Sequence, residues 1–192
     1  QVHQLKPDVV TMDVEMPGMT GLEALKRIMS ERPTPVLMVS SLTTEGAQET
    51  LQALEYGAVD FVPKQLDGVA SKIAEIQKEL VSKVLAAKSA GPRLKRIPAV
   101  GAAKPVAVPA KAISSHAVSV TRGFKLVAIG CSTGGPQALF EIMPTIPADF
   151  PAGIVIVQHM PKSFTKPFAD RLNTICSLEV REAVDGDEIK PG

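Results

Sequence analysis

Ser132 stands where an apolar run gives way to small residues, Val127-Ala128-Ile129-Gly130-Cys131-Ser132-Thr133-Gly134-Gly135-Pro136. A hydroxyl in a sharp strand-to-helix turn is placed to act as a nucleophile. Gly130-Cys131-Ser132-Thr133-Gly134 also fits the pattern G-x-S-x-G, in which a strained turn exposes the serine oxygen at a sheet edge. A proton carrier is offered by His159, which closes a second apolar run, Gly153-Ile154-Val155-Ile156-Val157-Gln158. If the two runs are neighbouring parallel strands, their carboxyl ends meet at one edge, where open α/β sheets bind ligands. Serine and imidazole then face each other as the pair that base-assisted attack requires.

Other uses of that turn stay open. In a dinucleotide site the three-glycine spacing would place glycine where Ser132 stands, and an acidic residue, not His159, would end the next strand. In a phosphate loop a lysine would follow the glycines, and none does. As a plain structural turn, Gly134-Gly135 would let strand and helix approach while Ser132 capped the helix.

A second chemical group lies near the start of the chain. Asp13 ends the run Val9-Val10-Thr11-Met12 and precedes a tight loop, Val14-Glu15-Met16-Pro17-Gly18-Met19-Thr20-Gly21. Ser40 ends a second apolar run and Lys64 follows a third. Three strand ends of one sheet would thus carry a carboxylate able to attack phosphorus, a hydroxyl able to bond phosphoryl oxygens, and an ammonium able to neutralise them.

The elements that must position these groups follow from periodicity. Residues 9–12, 35–39 and 59–62 read as strands, and residues 21–31 and 44–56 as helices, the second closed by Gly57. Val69, Ile73, Ile76, Leu80 and Val84 recur along one face of a long helix. The order implies right-handed crossovers and a parallel sheet with helices on both sides, lacking its first units. Between residues 89 and 124 the chain carries six basic and no acidic residues and is rich in Pro and Ala, a composition expected of a flexible linker. After it the same grammar returns: strands at 126–130 and 154–158, helices at 135–143 and 164–175, and a third strand expected at 178–183. The fold class is therefore α/β, with two doubly wound parallel-sheet modules, both incomplete. The boundaries are 1–88, 89–124 and 125–192, and the whole is expected to be a fragment cut at both ends.

A formal net charge of +1 over 192 residues gives no global electrostatic case for nucleic acid. The apolar runs fall far short of the ~18 residues of a membrane span, and no secretory signal is visible. Cys131 and Cys176 lack metal-ligand spacing and fit free thiols in a reducing cytoplasm.

Two resemblances sharpen these expectations. Through Met12-Asp13-Val14-Glu15-Met16-Pro17-Gly18-Met19-Thr20-Gly21, Val39-Ser40-Ser41 and Gly57-Ala58-Val59-Asp60-Phe61-Val62-Pro63-Lys64, residues 1–88 resemble the receiver domains of two-component response regulators. That implies a flavodoxin-like module in which Asp13 is the phosphoacceptor and the Glu15 carbonyl a Mg²⁺ ligand. Ser40 would follow the phosphoryl group, Phe61 would be the aromatic switch and Lys64 the cation. Receivers carry Pro after this lysine, whereas Gln65 stands here, and their acidic Mg²⁺ pair belongs to an earlier strand, so weak Mg²⁺ binding is expected.

The run 128–136 with Val157-Gln158-His159-Met160-Pro161 resembles the catalytic domain of chemotaxis protein-glutamate methylesterases, the CheB family, whose members also join a receiver to a linker. The resemblance implies a Rossmann-like module needing no cofactor for ester hydrolysis. Ser132 would attack a receptor glutamate γ-methyl ester, with His159 as base and Thr133 supporting the oxyanion site. The family also deamidates receptor glutamines. Its third catalytic member, an aspartate, comes later than Gly192; Asp185 and Asp187 lie in a turn too early for that role. Implied partners are chemoreceptor helices and a histidine kinase, in the cytoplasm, without nucleic acid or membrane insertion. The unphosphorylated receiver is expected to pack over the Ser132 edge. The competing expectations are a receiver joined to a nucleotide-binding output, or to an inactive adaptor module.

Overall fold

The computed structural model describes residues 1–41, 43–64, 70–90 and 126–192. Residues 91–124 of the expected linker, Gln65 and Val69 lie outside the described residues, whereas Ser89 and Ala90, expected to open the linker, are the end of a helix. An exposed single turn, α1 (Val2–Leu5), precedes β1 (Val10–Asp13), α2 (Gly21–Glu31), β2 (Val36–Ser40), α3 (Thr44–Glu55), β3 (Asp60–Pro63) and α4 (Ala70–Ala90). The second half holds β4 (Leu126–Cys131), α5 (Gly135–Ile142), a 3₁₀ turn at Met143–Thr145, β5 (Gly153–Gln158) and α6 (Lys162–Ile175).

Both sheets are parallel, in the order β1-β2-β3 and β4-β5, as the alternation of apolar runs with amphipathic helices requires. β2 is the central strand of the first sheet, and Val36, Leu37 and Met38 are inaccessible to solvent, which is why it reads as an uninterrupted apolar run. Thr20 starts α2 with a capping box: its hydroxyl accepts from the Glu23 N–H while the Glu23 carboxylate accepts from the Thr20 N–H. That box satisfies two of the orphan donors of the first turn and fixes where the Asp13 loop ends.

Two expectations need correction. Residues 178–183 form no strand: the Glu179 N–H donates to the Gly192 carbonyl and the Val180 N–H to Asn173 Oδ1, each at 2.8 Å, so donors a ladder would use are already taken. In α4 the apolar positions Leu80 and Val84 are only half-buried, whereas Lys83 and Ala87 are buried. The reason is electrostatic. Lys83 Nζ donates to the Phe61 carbonyl at 2.7 Å and pairs with the Asp60 carboxylate at 3.3 Å, and Asp60 in turn accepts from the Phe61 N–H. A buried ammonium is tolerable only with such partners, so the helix turns its cation inward and leaves Val81 and Leu85 exposed.

The two halves share one core. Phe61 of β3 stacks on Phe164 in the first turn of α6, centroids 4.4 Å apart, and both rings are buried. Arg171 of α6 grips Glu55 at the end of α3 through two nitrogens, one bond measuring 2.9 Å. Leu139, Met143, Phe168 and Leu172 continue the apolar cluster that begins with Leu25, Met38 and Leu54. No helix among the described residues is long and apolar enough to cross a membrane.

Lys83→Met should destabilise the fold by about 3–5 kcal/mol in urea denaturation, because the Asp60 carboxylate is then buried without its cation. Adding Asp60→Asn should recover part of that loss. Equal stability of the parent and Lys83→Met would show that the buried pair contributes nothing.

Candidate functional site

In the first half the structure joins two of the expected residues and separates a third. Lys64 Nζ donates to Asp13 Oδ2 at 2.7 Å, across the carboxyl ends of β1 and β3, and the Glu15 N–H donates to Asp13 Oδ1 at 3.2 Å. The Lys64 ammonium holds the Asp13 carboxyl below the usual carboxylate range, a pull that outweighs the push of partial burial. An ionised carboxylate at a rim about one-third exposed is what attack on phosphorus needs.

Ser40 ends β2 between them, but its hydroxyl is turned away. It donates into the carbonyls of Ser41 and Gly46, both 3.1 Å away, and accepts from Thr50 Oγ1 at 2.6 Å, fully buried. Thr50 was missed by sequence reasoning, although it was findable: with Ala47, Leu51 and Leu54 it lies at i, i+3, i+4 and i+7 on the buried face of α3. Phe61 points its ring at Phe164, not at Asp13.

For Mg²⁺ the described donors are the Asp13 carboxylate and the Glu15 carbonyl, and no group of three His, Cys, Asp or Glu among the described residues could hold a metal ion. Mg²⁺ takes a near-octahedral oxygen set, of which this carboxylate and carbonyl could supply two members.

In the second half, β4 and β5 pair in register, with Cys131 opposite Gln158. The next residues are therefore Ser132 and His159, side by side at the carboxyl edge, and the His159 N–H donates to the Cys131 carbonyl at 3.1 Å. Both side chains are exposed, and no hydrogen bond joins Ser132 Oγ to the imidazole among the described contacts. The turn differs from the strained elbow expected. The Gly135 N–H closes onto the Ser132 carbonyl at 2.8 Å, with Gly134 at φ 77°, ψ −6°, which is a type II turn with the positive φ carried by glycine, not by the serine. Nor does Ser132 cap α5: the N-cap is Gly134, without a side-chain bond. Thr133 occupies the second turn position, and its N–H makes no hydrogen bond among the described residues. Asp187 accepts from the Val184 N–H at 2.8 Å and pairs with Arg181 at 2.8 Å, in a turn of its own. Cys131 is half-buried and burial pushes its thiol pKa up, so it does not compete with Ser132 as a nucleophile.

Contrary to expectation, the first half does not pack over the Ser132 edge. The first half packs on α6 and α5, the helices that follow His159 and Ser132, and leaves both residues exposed; it flanks the site instead of covering it.

Lys64→Met should raise the Asp13 pKa toward its ordinary value, read from the carboxyl carbon in an NMR titration. Because the folded pKa is depressed, the stabilisation from the pair is present above the unfolded pKa and lost as pH falls through the folded one. A Lys64→Met protein whose Asp13 titrates as in the parent would show that the ammonium is not the cause.

Comparison with known proteins finds two families along the chain. The response regulator receiver domain family matches residues 1–75, and the CheB methylesterase family matches residues 127–192. A protein-glutamate methylesterase/protein-glutamine glutaminase 1 of Oleidesulfovibrio alaskensis is 49% identical over 208 residues, covering 100% of this chain and 56% of that protein. One from Symbiobacterium thermophilum is 48% identical over 198 residues, covering 100% and 54%. The crystal structure of the response regulator domain of Thermotoga maritima CheB is similar to 46% of this chain and 66% of that one, at 49% identity and a TM-score of 0.40. The chain thus spans about half the length of the curated relatives it matches. These matches do not favour a nucleotide-binding or adaptor output. Aligned along its whole length with relatives of one name, and carrying a receiver match followed by a methylesterase match, the chain belongs to the CheB family of protein-glutamate methylesterases.

Proposed function

We propose that the protein containing this chain hydrolyses glutamate γ-methyl esters on chemoreceptor helices, and deamidates receptor glutamines, under the control of phosphorylation at Asp13 by a histidine kinase in the cytoplasm. In this reading residues 1–88 are the receiver part, 89–124 a linker and 125–192 the amino-terminal part of the catalytic domain. The observation that carries it is the register of β4 and β5, which leaves Ser132 and His159 exposed and adjacent at one sheet edge.

The chemistry follows from that placement. Ser132 Oγ attacks the ester carbonyl while His159 takes its proton, and the developing oxyanion finds a free donor in the Thr133 N–H. The imidazolium returns the proton to departing methanol, and water then releases the acyl group by the same route. Glutamine enters identically, with ammonia as the leaving group. The half-buried, unpaired cysteines agree with a reducing compartment.

Regulation has a physical path in the same reading. A phosphoryl group on Asp13 keeps Lys64 as its counter-ion and draws the Ser40 hydroxyl out of its bonds to Gly46 and Thr50. That frees Phe61 to leave Phe164, and α6, which begins three residues after His159, loses its stacked neighbour. Mg²⁺ is the ion such transfer takes; of its ligands, the Asp13 carboxylate and Glu15 carbonyl are present here.

In the full-length protein, Ser132→Ala should abolish methanol release while phosphorylation of Asp13 by a small phosphodonor continues. Retained turnover would remove Ser132 as the nucleophile. Deleting residues 1–88 should raise basal esterase activity, and an unchanged rate would refute inhibition by the receiver.

A further inference from the structure

Gln158 ends β5 between the two reacting residues, and its side chain touches the backbone of both. Nε2 donates to the Ser132 carbonyl at 3.1 Å and to the His159 carbonyl at 3.2 Å. A carboxamide nitrogen carries two hydrogens, so both bonds are made at once, and only the nitrogen can face two carbonyls, which fixes the orientation of the amide. The Ser132 carbonyl also accepts from the Gly135 N–H at 2.8 Å, so both its lone pairs are used. Gln158 Oε1, by contrast, is buried with no partner and lies against Gly135, where any side chain would run into it and into Cys131.

An unpaired buried oxygen costs free energy that an apolar side chain of the same length would avoid. That cost offsets the gain from the two Nε2 bonds, so the net contribution of this glutamine to folding is small. We propose that Gln158 is a positioning residue: its amide ties the turn that presents Ser132 to the loop that presents His159, holding the two side chains at a fixed separation. The backbone ladder ends at the His159 N–H, and past that point both segments leave the sheet in different directions, Ser132 into a type II turn and His159 toward Pro161. The Gln158 amide supplies the cross-link the ladder no longer provides. This rests on the reading of Ser132 as nucleophile and His159 as base.

The test uses the full-length protein with Gln158→Met, which keeps length and removes both donors, and Gln158→Asn, which keeps the donors but is one methylene short. Labelling of Ser132 by a fluorophosphonate, located by mass spectrometry, is measured beside kcat and KM on methylated receptor membranes and the melting temperature. In Gln158→Met both labelling rate and kcat should fall about tenfold to a hundredfold, the effect of an ångström-scale misplacement. KM and melting should stay near the parent, with Gln158→Asn in between. Parental labelling and kcat in Gln158→Met overturn the proposal, as does a lowered melting temperature with unchanged kcat per folded molecule. Should Gln158→Met fail to fold, Gln158→Asn decides: slower labelling at the parental melting temperature supports the proposal and a parental rate overturns it. Failure of the underlying reading is distinct, since the parent protein would then never be labelled at Ser132, and the proposal falls with it.

Discussion

One backbone hydrogen bond, from the His159 N–H to the Cys131 carbonyl, decides where the chemistry of the second half can sit. It is the last rung of the β4–β5 ladder, and it carries the register one step further, to Ser132 opposite His159. Strand side chains alternate with period two, so a slip of one residue would send one of the pair to the other face of the sheet. The apolar sequence of β5 resists such a slip, because Ile154 and Ile156 contribute to a packed core while Val157 stays exposed. Core packing thus selects the register, and the register selects the catalytic pair.

The same logic runs through the first half with charges in place of a nucleophile and base. Asp13 and Lys64 are separated by 51 positions yet meet because β1 and β3 flank one central strand and end at the same edge. Behind that edge, Lys83 and Asp60 form a second, buried pair beneath the Phe61 backbone. With the carbonyl and N–H of Phe61 both held by buried polar groups, its backbone is anchored while the ring remains free to choose a neighbour. In the structure that neighbour is Phe164, so an aromatic residue of β3, the strand that ends beside Lys64, is also a contact between the halves.

Strand ends, helix ends and the chemical residues placed on them were legible from the sequence, since each is announced by a break in apolar periodicity: Asp13, Ser40, Ser132 and His159 all stand at or just past a strand terminus. What periodicity cannot convey is direction and partnership. It placed Leu80 and Val84 on the inner face of α4 because they are apolar, whereas the buried carboxylate of Asp60 pulled Lys83 there instead. It left the Ser40 hydroxyl free, although Thr50 on the next helix claims it. Residues 178–183 alternate well enough for a strand, but the Val180 and Glu179 N–H groups are engaged by Asn173 and by the Gly192 carbonyl, partners no local pattern reveals. The G-x-S-x-G pattern located the turn and misjudged its strain, because a second glycine at Gly134 takes the positive φ that the serine would otherwise bear.

For the proposed control by phosphorylation, magnitudes decide whether such a device can switch. Withdrawing the Ser40 hydroxyl forfeits one donation shared between the Ser41 and Gly46 carbonyls and one bond accepted from Thr50, about 1 kcal/mol each. Unstacking Phe61 from Phe164 costs about 0.5–1.5 kcal/mol beyond the area exposed. Against this, a phosphoryl oxygen offers Ser40 a charge-assisted bond worth about 1.5–3 kcal/mol, while Lys64 exchanges one anionic partner for another. The two sides agree within a few kcal/mol, which is the range a two-state element must occupy if one covalent group is to shift its population. The Glu55–Arg171 pair, forked and with Glu55 half-buried, also ties α6 to the first half, but it starts from α3 and not from the strand that ends beside Lys64. Of these two contacts, only the stacked rings start from β3, whose next residue, Lys64, holds Asp13, so they are the shorter path from Asp13 to the helix that follows His159.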